Sequence, residues 1–91
     1  VRLVEFAQLD ADRGARAAVL ALRPASAEYA GPLWINASDE PARYAHDLYA
    51  NLRRLDRAGA AEILVESPPP SEPWDAIRDR LARAAAQAED A

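Results

Sequence analysis

The stretch from Leu33 to Glu66, LWINASDEPARYAHDLYANLRRLDRAGAAEILVE, carries the reading of the fold. Its centre is a helix. Ser38 or Asp39 stands where a capping side chain can accept a backbone N–H, and Pro41 falls in the first turn, where a missing N–H costs little. Ala45, Leu48, Tyr49, Leu52 and Leu55 recur at helical spacing and form one apolar stripe, with Tyr49 the tyrosine expected inside. Arg43 and Asp47 stand four residues apart and are expected to pair across one turn. Gly59 suits the left-handed position that closes a helix. On either side lie short apolar runs, Leu33–Ile35 and Ala61–Glu66, the second rich in β-branched and large aliphatic residues. Strand, helix and strand in this order make a βαβ unit, whose strands run parallel with a right-handed crossover.

Working outward, Ala17–Leu22 is continuously apolar and stops at Arg23-Pro24, the pattern of a strand covered on both faces. Val1–Leu9 alternates, with Val4 and Phe6 on one side and Leu3 and Ala7 on the other, and is expected to be a strand that ends in a turn at Asp10–Gly14. Ala25–Pro32 reads as loop or a short helical turn. After the last strand, Pro68-Pro69-Pro70 forms a stiff extended link, because proline cannot sit in a helix interior or a central strand. Trp74, Ile77, Leu81, Ala84 and Ala85 then follow helical spacing, with Asp79 and Arg83 as a second pair four apart. The expected fold is a small Rossmann-like α/β domain of about four mainly parallel strands and two main helices. It spans residues 1–86 as a single domain, with 87–91 as a frayed tail.

Composition narrows the function. The chain has 91 residues and a net charge of -4, and all 11 of its basic residues are Arg. It is the size of one modest domain. With no Cys it has neither a disulfide framework nor a thiolate nucleophile, and a single His, His46, cannot build a multi-histidine metal centre. The absence of Lys removes Schiff-base chemistry and the Walker lysine. The acidic balance argues against direct nucleic-acid binding. No apolar run approaches the roughly 20 residues that cross a bilayer. A cytoplasmic location is expected, and neither a catalytic residue nor a metal site.

Several residues still invite chemistry. In open parallel sheets ligands bind beyond the carboxyl ends of the strands. That position makes Asn36, Ser38, Ser67 and Ser71 the candidate ligand-binding residues. Helix capping is the competing role for Ser38, and Asp39 and Glu40 would repel an anion there. His46 precedes Asp47, but adjacent helical residues point about 100° apart, so a solvated surface histidine is favoured over an acid/base pair. Asp10 and Asp12 are read as turn residues, not metal ligands. Trp34 and Trp74 are expected to pack, in a domain otherwise poor in large side chains. Arg53, Arg54 and Arg57 make the densest positive patch, which on most helices is a solvated face.

One further pattern comes from the order of segments. Tyr44-Ala45, Leu48-Tyr49, Leu52-Arg53 and Leu55-Asp56, then Gly59 and the strand Ile63–Val65, then Ala76-Ile77, Asp79-Arg80-Leu81 and Ala84-Ala85, together resemble the C-terminal domain of the two-domain threonylcarbamoyl-AMP synthases over about residues 14–85. The strand Ala18–Leu22 resembles the family's early strand. The chain departs from the pattern where the family carries a Gly-Leu-Gly turn before the last helix, because it has Ser71-Glu72-Pro73-Trp74 there. Proline excludes the positive φ that glycine allows, which puts in doubt any ligand contact made by that turn.

The resemblance implies a role in making threonylcarbamoyl-adenosine in tRNA. The parent enzyme would be a nucleotidyltransferase that joins threonine, bicarbonate and ATP, with Mg as its companion ion. The chemistry belongs to a YrdC-type catalytic domain whose motifs are not in this chain. The chain itself would be a non-catalytic accessory or regulatory domain without a cofactor. Its expected partner is that catalytic domain, in cis or in trans, or a second copy of itself, with no membrane contact. Trp74, Asp79 and Arg80 are its candidate interdomain residues. The alternative from another class is a free-standing small-molecule or nucleotide-binding module.

Overall fold

The computed structural model describes residues 2–5, 16–27 and 29–90, with side chains described as far as Ala86. Strand β1 is Arg2–Val4, β2 is Ala18–Ala21, β3 is Trp34–Asn36, helix α1 is Pro41–Arg57, β4 is Ile63–Glu66, and α2 is Asp75–Asp90, entered through a 3-10 turn at Glu72–Trp74. The four strands form one parallel sheet in the order β1-β4-β2-β3. The expected α/β class is therefore the observed one. β3 and β4, the two ends of the βαβ unit, are not neighbours. The crossover through α1 passes over β2 and places β4 in the middle of the sheet. Phe6–Gly14, where the first expected strand was continued and ended in a turn, lies outside the described residues.

Register explains which side chains meet. Leu20 stands opposite Ile35 on one side and Val65 on the other, and Val65 stands opposite Leu3. Alternation along a strand puts these on one face. There they join Ala18 with Tyr44, Leu48 and Leu55 of α1, Trp74 of the 3-10 turn, and Ile77 and Leu81 of the first half of α2. The opposite face gathers Ala17, Val19, Ala21 and Leu64, with Val4, Tyr29 and Trp34 against them. Ala17 to Ala21 are all buried, so β2 is covered on both faces as its unbroken apolar run requires.

The β2–β3 loop is pinned by one side chain. The Tyr29 hydroxyl lies 2.5 Å from the Ala17 carbonyl and 2.7 Å from that of Leu33, and accepts the Leu33 N–H at 3.1 Å. Burial raises its pKa, against the hydrogen bond to Leu33, which lowers it. A Cβ on Gly31 would collide with this hydroxyl and with the Ala17 carbonyl, so glycine is required there by space. The Trp34 ring stands edge-on to Tyr29, and its Nε1–H donates to the Arg23 carbonyl at 2.8 Å. Trp34 is a packing residue here.

Two details of α1 differ from the sequence expectation. Its N-cap is Glu40, with no capping bond from a side chain. Ser38 is two residues too early to reach the second or third N–H of the helix. Its hydroxyl instead accepts the Glu40 N–H at 3.1 Å, a turn outside the helix. The buried positions are Tyr44, Leu48, Asn51 and Leu55, while Tyr49 is 72% exposed. The expected burial of Tyr49 is thus corrected to Tyr44, whose ring meets Trp74 edge-on at 5.3 Å. Gly59, at φ +75°, does close the helix in the left-handed region, with the Ala58 N–H bonded to the Leu55 carbonyl.

Candidate functional site

Loops leaving the two central strands part company at their carboxyl ends. β2 continues toward β3 at one edge, and β4 leads to α2, which lies against β1 at the other. Such a divergence is where open α/β sheets offer a crevice to ligands. In this chain a side chain of its own fills that place. Glu66, the last residue of β4, is 5% exposed. Its Oε1 accepts the backbone N–H of Leu22 at 3.1 Å and the Arg23 Nε–H at 3.2 Å, and Oε2 accepts from Arg23 Nη2 at 2.8 Å. This is a two-pronged arginine–carboxylate pair that ties the end of β4 to the end of β2. The Tyr44 hydroxyl is close enough to feel the charge. Its pKa is pushed well above the usual tyrosine range, first by burial and then by Glu66.

The sequence-derived candidates lie on both sides of this plug. Asn36 ends β3 and is exposed. The next N–H, that of Ala37, is already bonded to the Ala21 carbonyl at 2.8 Å. At this helix start the Glu40 N–H is taken by Ser38, and Pro41 has none to offer. Ser67 follows β4, and its N–H bonds the Val4 carbonyl at 2.8 Å. Ser71 is exposed, and its carbonyl accepts the Trp74 N–H at 2.9 Å. One intervening strand, β2, separates the Asn36–Ser38 pair from Ser67, a gap of about 10 Å at ordinary strand spacing. The structure therefore does not bring the four residues together.

Ser67 does share a groove of about 400 Å³ with Leu3, Glu5, Pro68, Pro70, Arg78 and Ala82, between β1 and α2. The Arg78 guanidinium donates to the Asp75 carboxylate through Nη2, while its buried Nε has no hydrogen-bond partner. A groove lined by apolar side chains, a hydroxyl, the Glu5 carboxylate and an unanswered N–H can take a small polar ligand.

The remaining candidates are surface features or core. Trp74 is 5% exposed, with its ring committed to Tyr44 and the sheet. The turn at Glu72–Trp74 is a 3-10 turn without positive φ, consistent with Pro73. Asp79 pairs with Arg83 at 3.2 Å, the expected spacing-four contact, and Arg80 is exposed. The His46 side chain is 84% exposed, yet its Nδ1 lies 3.0 Å from Asp47 Oδ1, a contact that adjacent helical positions did not suggest. Asp47 so engaged makes no ion pair with Arg43 among the described residues, which corrects that expected pair. No group of three or more potential ligands could hold a metal among the described residues. Asp10 and Asp12 lie outside them.

The family described as threonylcarbamoyl-AMP synthase, C-terminal domain, matches residues 2–86. This chain belongs to that family. Neither the curated proteins nor the solved structures give a match. The family assignment covers all four strands and both helices up to the last turn of α2, so the parallel sheet described above is the family domain itself. Sequence reading missed Glu66 and Arg23 as the centre of this edge. The available signal was a charged residue closing each of the two most apolar strands, Ala17–Leu22 and Ile63–Val65. No helix among the described residues is long and apolar enough to cross a membrane.

Proposed function

We propose that this chain is the accessory domain of a threonylcarbamoyl-AMP synthase. It acts without chemistry of its own in the route to threonylcarbamoyl-adenosine in tRNA. It partners a YrdC-type catalytic domain, in cis or in trans, and that domain handles ATP with Mg, threonine and bicarbonate. The observation that carries this reading is the Glu66–Arg23 pair across the carboxyl ends of β2 and β4. A domain that worked on a nucleotide would need that crevice open, with backbone N–H groups facing it. Here the Leu22 N–H is bonded to Glu66 and the Ala37 N–H to Ala21.

The test is an assay for threonylcarbamoyl-AMP from ATP, threonine and bicarbonate. The isolated chain is expected to form none, and a catalytic domain is expected to change in activity or melting temperature when the chain is added. Product formed by the chain alone overturns the reading. A second reading, a small-molecule module, is favoured by the groove that holds Ser67 and Arg78. Thermal shift against ATP, AMP and threonine separates the two. A ligand present at about 100 times its Kd would stabilise the fold by roughly 2.7 kcal/mol, whereas the accessory reading expects a flat response.

A further inference from the structure

The outer face of α1 combines features that the fold does not use. Tyr49, Ala50, Arg53, Arg54 and Arg57 line a shallow depression of about 330 Å³. Their spacing of one, four, five and eight residues keeps them on one side of a helix. Tyr49 is 72% exposed, and Arg53 holds its guanidinium 5.6 Å from the centre of the ring. Arg2, Arg23, Arg78 and Arg83 each pair with a carboxylate. Arg53, Arg54 and Arg57 have no such partner among the described residues. Neighbouring acids do not answer them, since Asp47 is engaged with His46 and Asp56 makes no ion pair with them.

We infer that the Tyr49–Arg53–Arg54–Arg57 face of α1 is a docking surface for an acidic patch on a protein partner; the inference rests on the accessory-domain reading, the partner being the catalytic domain. Charge complementarity is the argument. Three guanidiniums concentrated on one helix face of a chain with net charge -4 are a local reversal of sign. Carboxylates match the planar donor fork of arginine, and an exposed tyrosine beside arginines has the composition of an interface hot spot. A nucleic acid fits less well. One face of the Tyr49 ring is already taken by Arg53, and the surrounding chain is acidic.

The experiment titrates the chain against a threonylcarbamoyl-AMP synthase catalytic domain by calorimetry at low and high salt. It compares wild type with the triple variant Arg53→Glu, Arg54→Glu, Arg57→Glu and, separately, Tyr49→Ala, with circular dichroism showing that each is folded. All four positions are exposed, so the fold should survive. Affinity is expected to fall at least about tenfold in each variant, and the wild-type affinity to weaken with salt. Unchanged binding by a folded triple variant overturns the docking face and leaves the accessory reading standing. No binding by wild type overturns the accessory reading and this inference with it. Binding of tRNA that the triple variant loses, or dimerisation of wild type that it abolishes, assigns the face to RNA or to a second copy and overturns the acidic-protein partner.

Discussion

Tyr44 and Glu66 meet where the helical layer reaches the end of the sheet, and their proximity has a consequence in alkali. The folded Tyr44 pKa is raised, by burial first and by the Glu66 charge second, while an unfolded tyrosine titrates near about 10. A raised folded value means that the neutral phenol stabilises the native state. That contribution is complete below about pH 10, and it is lost as pH rises through the folded value. Each such tyrosine can remove at most about 1.4 kcal/mol per pH unit in that window. Burial raises Tyr29 in the same direction, so both contribute. Urea melts at stepped alkaline pH should show stability falling above about pH 10, with a shallower fall in Tyr44→Phe. That variant should cost little at neutral pH, since the hydroxyl makes no hydrogen bond to a described residue. In Glu66→Gln the Tyr44 phenol should ionise at lower pH, read by ultraviolet absorbance. An unchanged alkaline slope in Tyr44→Phe would show that the phenol does not couple to folding.

At the level of the element, α1 shows what a sequence pattern can and cannot fix. Leu48, Leu52 and Leu55 lie on an apolar stripe that can be completed by either Tyr44 or Tyr49, two similar side chains about 140° apart on the helix. Hydropathy does not choose between them. The choice is made by Leu20, Val65 and Trp74, which come from distant parts of the chain and accept Tyr44. Asn51, buried on the same face, is equally invisible to a hydrophobic pattern. By contrast Pro41 and Gly59 act through their own backbones, so the first turn and the close of the helix were readable, although its cap was not. Burial then orders an alanine scan. Leu48→Ala and Leu55→Ala should each cost about 2–5 kcal/mol, Leu52→Ala less because it is only half-buried, and Tyr49→Ala under about 0.5 kcal/mol. Chemical denaturation of the four variants checks the order. A Tyr49→Ala loss as large as that of Leu55→Ala would place Tyr49 in the core and empty the proposed docking face.

For the whole molecule, the sheet order is the feature that joins its layers. The class was legible because Ala17–Leu22 and Ile63–Val65 are apolar without interruption, as strands buried on two faces must be. The order was not, because parallel neighbours are joined by distant crossovers rather than by turns whose residues announce a pairing. With β4 inserted between β1 and β2, every strand pair in the sheet brings together residues remote in sequence except β2 and β3. Neither face can then form before the centre does, and the two faces should unfold together. The chain carries its own reporters for this. Trp34 belongs to the face lined by Val19 and Leu64, and Trp74 to the face covered by α1 and α2. In Trp34→Phe only the helical face fluoresces, and in Trp74→Phe only the other. Within each variant the fluorescence and circular dichroism transitions in urea should coincide, whatever its stability. A Trp34 signal lost before the helical signal within Trp74→Phe would mean that the two faces of the sheet are separate cooperative units, and that β2 and β4 do not bind them into one.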